Sequence, residues 1–438
     1  MVLSTRIANG RVYYKGQFIE SAVHIDNGLI TSIGRESEKD HEETFDARGY
    51  LVLPGLIDVH SHLRDGALSY KEDFRSGTQS AIAGGFTTVL DMPNSIPPVN
   101  SVQRLVDRIK VAEDRGIFCD VGFYATPSSP EIVEGLVNAG AIGIKAYMAK
   151  TIEGTSYSTF DEISSLINAC ASSEIICSVH AEDPQHLAEF KGSTAKEHWS
   201  AHPPIAEIEA IKNIIHAAKS TKGAVHVAHI STSEGLELVE RAKALGANIT
   251  CEGTPHHSML TTERIDGSES RYIVEPPIRS QSDMVSIRRG IKSRLISILA
   301  TDHAPHSIEE KGGVHPPPGF PGFETALAVF MKMVYEGDLT LETVVSGFSD
   351  APSMRFGLGK TGKIEEGYEA NITIFDPRKD WTVRSDAFLS KAKYSPFEGF
   401  RFKGKVYATF IRGRLGYLDE NILYPSLGRV IKRNRIGF

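Results

Sequence analysis

The pattern of this chain predicts an α/β fold, a (β/α)₈ TIM barrel with a small flanking β-sandwich domain built from both chain ends. Three observations predict it. Eight short apolar runs mostly alternate with amphipathic segments through the middle of the chain, strand-like text with Asn-Gly turns precedes them, and strand-like text returns after about residue 363.

Taken in order, residues 1–52 alternate apolar and polar positions around Asn9-Gly10 and Asn27-Gly28, a strong hairpin signal. From Pro54 the text changes to LIDVH, then an amphipathic stretch 71–84; FTTVLDM, then 101–115; CDVGFYA, then 130–139; and AIGIKAYM, then 159–172. There follow EIICSVH, then 204–219; AVHVAHI, then 233–244; NITCE; and ISILATDH, then 322–335. Buried strands alternating with helices give a parallel barrel. The run from Lys311 to Pro321 is too rich in Gly and Pro for regular structure and reads as an active-site loop after the last strand. EANITIFDP, WTVRS and KVYATFIRGRLGY then supply C-terminal strands. A few hairpins alone are marginal, so both ends should join in one unit. The expected division is 1–52 with 364–420 as the β-domain, 53–363 as the barrel, and 421–438 as a tail.

Composition excludes several classes of function. The chain has 438 residues, with 48 Lys and Arg against 55 Asp and Glu, and its basic residues cluster only at the end, in Arg429, Lys432, Arg433 and Arg435. Nucleic acid is therefore not expected as a partner. Neither a secretory leader nor a membrane-spanning apolar run is visible, so a cytoplasmic protein is expected. Four scattered cysteines, with no C-x-x-C pair, suggest neither disulfides nor a thiolate metal site.

In such a barrel the chemistry sits at the C-terminal strand ends. Strand one ends in His60-Ser-His62, and alternation puts both imidazoles on one face. Lys145 lies on strand four, His180 ends strand five, His229 ends strand six, and Asp302 ends strand eight. Packing would favour Val, Ile and Leu at these positions. Nitrogen and oxygen donors without thiolate suit zinc or a similar divalent ion with an open coordination position. Lys145 is the awkward member, because an ammonium has no lone pair and repels a cation. Two alternatives stay open on spacing: an ion pair with Asp302 or a substrate carboxylate, or a buried neutral amine that has taken up carbon dioxide as a carbamate.

Several ordered segments resemble the amidohydrolase superfamily, and within it the dihydroorotase group. They are His60-Ser-His62-Leu-Arg64, Asp91-Met-Pro-Asn94, Gly143-Ile-Lys145, Val179-His180-Ala-Glu182, His229-Ile-Ser-Thr, Cys251-Glu-Gly-Thr-Pro-His-His and Thr301-Asp302-His303-Ala-Pro-His306. The likeness spans nearly the whole chain. It implies two Zn²⁺ ions bridged by a hydroxide and by carboxylated Lys145, an N6-carboxylysine. His60, His62 and Asp302 would hold one ion, His180 and His229 the other. It also implies Arg64, Asn94 and His306 as substrate contacts, with Pro318 and Gly319 closing over substrate through main-chain groups.

A guanidinium, an amide and an imidazole suit an anionic substrate, because a carboxylate accepts a planar bidentate grip. Arg64 and Asn94 could instead simply stabilise their loops. One departure stands out: the group often carries asparagine where this chain has Glu275, and an acid there would repel an anion. By the same resemblance, a metal-activated hydroxide attacks a ring amide while Asp302 moves the proton, in the reversible cyclisation of carbamoyl aspartate to dihydroorotate. Rival expectations are a hydantoinase, dihydropyrimidinase or allantoinase acting on another cyclic ureide, and a non-catalytic scaffold, which would be expected to have lost ligands. A homodimer is a family tendency.

Overall fold

The computed structural model describes residues 4–34, 41–149, 156–423 and 427–433; Arg435 of the basic tail lies outside them. The N-terminal strands are β1 (Thr5–Tyr14), β2 (Gln17–Asp26), β3 (Leu29–Ile33), β4 (Glu43–Asp46) and β5 (Leu51–Pro54). Asn9 and Asn27 both take positive φ, as their Asn-Gly context demands, but only Asn27 sits in a hairpin turn. Asn9 instead lies within β1, where the pairing with β2 slips between Ile7 and Gly10 as a bulge.

The barrel follows as β6 (Leu56–Ser61), β7 (Phe86–Asp91), β8 (Asp120–Ala125), β9 (Gly143–Tyr147), β10 (Cys177–His180), β11 (Val225–Val227), β12 (Ile249–Gly253) and β13 (Ile298–Leu299). These eight strands pair in sequence order, all parallel. A parallel bridge between Ser61 and His303 joins the last strand to the first, helped by the His62 N–H donating to His303 O at 2.7 Å. That closure brings His60, His62 and Asp302 together although 240 residues separate them in sequence. Asp58 reinforces it, accepting from Thr301 N at 2.9 Å and Thr301 Oγ1 at 2.6 Å.

All seven expected helical stretches occur, for example Val102–Arg115 capped by Ser101 and Phe160–Ser172 opened by a Thr159/Glu162 capping box. Others were not expected: Ala195–Ala201, Pro255–Met259, Gln281–Lys292, Leu341–Gly347 and Asp350–Phe356. The helix of the seventh βα unit is Gln281–Lys292, displaced from its strand by a long excursion that hides the alternation.

The C-terminal strands β14 (Ile372–Thr382), β15 (Arg401–Ile411), β16 (Arg414–Leu418) and β17 (Asn421–Ile422) complete a nine-stranded sheet with β1–β5. WTVRS, expected as its own strand, begins inside β14, which carries a bulge between Asp376 and Asp380. The join between the chain ends is the antiparallel pairing of β5 with β14. This sheet has its own core, including Ile7, Val23, Ile25, Val52, Ile372 and Phe410. The tail is tied to the barrel: Arg429 N donates to Asp120 Oδ1, and Val430 bridges Val121.

Candidate active site

The parallel strands all end at one rim, and there the side chains converge around a cavity of about 170 Å³. Its lining includes His60, His62, Arg64, Asn94, Lys145, His180, His229, Asp302, His306, Pro318 and Gly319, every site residue expected from sequence. Such a volume suits a small molecule. A larger cavity of about 310 Å³ lies between helix Phe323–Tyr335 and the β-sheet, but no group of metal donors converges on it among the described residues.

His60 and His62 leave β6 two residues apart, and each Nε2 lies 3.5 Å from Asp302 Oδ1. Donors bonded at 2.0–2.1 Å to one tetrahedral ion stand about 3.4 Å from each other. The spacing therefore fits a shared cation. Both imidazoles are oriented from behind. His62 Nδ1 donates to Asn94 Oδ1 at 2.6 Å, and His60 Nδ1 meets the Glu252 carboxylate, so each Nε2 keeps its lone pair for the centre.

The second half is built from β9, β10 and the residues following β11. Lys145 is fully buried, and its Nζ has no hydrogen-bond partner; nor does Nδ1 of His229. A buried polar atom without a partner is costly, and here both residues line the same cavity. Burial pulls the Lys145 amine down to about 8, toward the neutral form that carbamate formation requires. His180 Nδ1 faces His229 Nε2 at 3.1 Å, and its Nε2 meets Glu182 at 2.9 Å. Burial, with the nearby Glu252 charge, pushes the Asp302 carboxyl well above the usual range despite Lys145. His229 and Asp302 both hold positive φ, a strain characteristic of functional positions.

At the mouth, Arg64 donates from Nε to Pro305 O at 3.1 Å and lies 3.2 Å from His306 Nε2. His306 also meets Pro318 O at 2.9 Å and Lys71 Nζ at 3.1 Å. The 311–321 segment begins later than expected, since Lys311 ends the short helix Ile308–Lys311. That lysine is buried and pins the loop, donating to Ile273 O, Pro317 O and Gly319 O at 2.8 Å each. Gly319 N–H goes to Ile273 O at 2.9 Å, so the main-chain groups of this loop already serve its own fold.

Sequence reasoning missed Glu252, Asp58, Lys71 and Lys311. NITCE did display Glu252 at a strand end, the one signal that could have found it. The others act through contacts that spacing does not encode.

The sequence profile of the Amidohydrolase family matches residues 51–416. The chain belongs to that family. Among curated amidohydrolase relatives it is similar to a dihydroorotase of Methanothermobacter thermautotrophicus, at 35% identity over 95% of either chain. A dihydroorotase of Pyrococcus furiosus is 34% identical over 98% of this chain and 97% of the other. Among solved structures it resembles an L-hydantoinase (dihydropyrimidinase) from Arthrobacter aurescens, with a TM-score of 0.91 and 26% identity over 98% of this chain and 100% of that one. The metal dependence typical of the amidohydrolase family agrees with the His60, His62 and Asp302 donor group, which fits a divalent cation.

Proposed function

We propose that this amidohydrolase is a dihydroorotase, interconverting N-carbamoyl-L-aspartate and (S)-dihydroorotate in pyrimidine biosynthesis. The observation that carries it is the pair Arg64 and His306 at the cavity mouth, 3.2 Å apart, beside the metal-donor group. The similarity to curated dihydroorotases over nearly the full chain supports it.

In this proposal His60, His62 and Asp302 would hold one zinc and His180 and His229 another, with Lys145, as its carbamate, a further ligand. The metals, when bound, supply Lewis acidity and a water deprotonated near neutral pH. The protein does the rest. Arg64 and His306 grip the substrate carboxylate, with the Asn94 amide nitrogen a third donor while its oxygen holds His62. This anchors the ring with its amide carbonyl toward the donor group. Asp302 takes the proton of the attacking water and returns it to the departing amide nitrogen; in the synthetic direction it moves the proton the other way. Pro318 and Gly319 wall the cavity. Cytoplasmic location and subunit pairing are carried with the proposal; among the described residues, no helix is long and apolar enough to cross a membrane.

A second interpretation has one observation in its favour. Glu275 lines the same cavity, and an acid opposes an anionic substrate, so a neutral cyclic ureide is the competing substrate. Zinc-loaded protein assayed in parallel on dihydroorotate, allantoin and hydantoin decides between them. Turnover of dihydroorotate in preference to the others is expected, and Arg64→Ala should raise its KM at least about tenfold, the worth of one charge-assisted contact. Preference for hydantoin, with KM indifferent to Arg64, would refute the proposal.

A further inference from the structure

A second group of metal donors lies beside the active-site cavity, made of residues that the chemistry above does not use. His198 and His202 stand four apart on and just after helix Ala195–Ala201, with stacked rings whose centroids are 4.5 Å apart. Glu275 faces them from the segment that follows Tyr272: its Oε1 is 3.3 Å from His198 Nε2, a hydrogen bond in the absence of a cation, and 3.6 Å from His202 Nε2. These separations bracket the 3.5 Å seen twice in the His60, His62 and Asp302 group. They also bracket the roughly 3.4 Å between neighbouring ligands of a tetrahedral ion.

The tautomer of His202 strengthens the case. Glu182 is buried and places Oε1 3.1 Å from His202 Nδ1, while Oε2 engages His180. A carboxylate only accepts, so Nδ1 carries the proton and neutral His202 turns a bare lone pair toward the Glu275 oxygen. A cation between these two atoms, or a second proton on His202, relieves the opposition of lone pairs at 3.6 Å. The support is also rigid: Arg279 donates to His202 O at 2.5 Å and to Ser231 Oγ at 3.1 Å, tying the two ligand-bearing segments together. His198 is fully buried, yet Glu275 borders the cavity, so the group is closed on one side and open to solvent on the other.

We propose that His198, His202 and Glu275 bind a further divalent cation of the zinc class, with an open coordination position toward the cavity. Two imidazoles and a carboxylate are a zinc donor set, and three protein ligands are the number that leaves a fourth position for water or substrate. Glu182 is the positioning residue that fixes the His202 ring, as carboxylates commonly do behind metal-bound imidazole. The cation neutralises Glu275, which otherwise borders the cavity as a carboxylate hydrogen-bonded to His198. This site does not depend on which cyclic amide is turned over, and it stands if the substrate proposed above fails.

The test compares metal content. Wild type, Glu275→Gln and His198→Asn are stripped with chelator, reloaded with Zn²⁺, dialysed and measured by plasma mass spectrometry, with circular dichroism to check folding. Each folded variant should hold one equivalent less than wild type. Loading with Co²⁺ instead should give visible absorption in wild type whose loss in the variants appears as a difference spectrum. Glu275→Gln keeps the side chain's shape, so it provides the comparison should His198→Asn fail to fold. Equal metal content and superimposable spectra would overturn the proposal and leave a proton on His202 as the occupant.

Discussion

Two regions bury ionisable groups at the barrel, and they treat them in opposite ways. At the rim, Lys145 Nζ and His229 Nδ1 are sealed from water without hydrogen-bond partners. At the seam with the β-sheet, Glu72 is equally buried, but it accepts from Ser76 Oγ and Ser390 Oγ, and from Lys391 N at 3.2 Å. Nearby Glu324 accepts from Ser80 Oγ at 2.8 Å, Leu389 N at 2.8 Å and Ser390 N at 3.2 Å. Unmet groups cost stability, and satisfied groups hold elements together. In these two regions the difference sets a site open to a further group apart from a seam already closed.

Four substitutions test that separation, beginning with the largest effect. Asp302→Asn should cost about 10²–10⁴ in kcat, the usual worth of a positioned proton carrier, with the melting temperature nearly unchanged. Rates near wild type would remove Asp302 from its role. Glu72→Ala should leave metal content intact yet destabilise the fold by about 2–4 kcal/mol, because both hydroxyls and the Lys391 N–H lose their acceptor. Chemical denaturation measures it, and a cost below about 0.5 kcal/mol would mean the seam is not held this way.

Glu324→Gln has a pH signature. Burial raises the carboxyl from 4.5 to about 7, so its folded form holds a proton that the unfolded chain releases. The associated stability is fully present below about 4.5 and is lost as pH rises through about 7, on the order of 1–3 kcal/mol. Wild type should weaken across that window and the variant should not; parallel pH profiles would contradict the burial argument. Smallest is the stability effect of Lys145→Met. It should abolish turnover and lower metal content, while the metal-free protein melts at or slightly above wild type, by up to about 1 kcal/mol, since an apolar chain fills the site of an unmet amine. A clear loss of apoprotein stability would restore the alternative of a lysine ion-paired with Asp302.

Much of the fold was legible because two periodicities, two residues for strands and 3.6 for helices, are written directly in the apolar pattern. Strand ends could be read by eye, so His60, His62, His180 and Asp302 were found where the runs stop. Helix Gln281–Lys292 escaped because the chain wanders from Thr254 to Ser280 before it begins, and alternation is the only signal that announces such a helix. Glu275 shows the other limit. In sequence it is an acid in place of a neutral residue, a repulsive defect. In space it faces two stacked imidazoles, one on a helix some seventy residues earlier and one just after it.

The order of residues alone therefore determined the barrel class, the flanking sheet from both ends and which candidate donors stand at the strand ends, since these follow from local pattern and chemical type. Tertiary structure decided which atoms face each other. Only barrel closure at Ser61 and His303 sets His60 and His62 3.5 Å from Asp302, and only packing assigns Asn94 to His62 and Glu252 to His60. Distance and tautomer depend on how strands meet across the barrel, and no spacing along a chain specifies that.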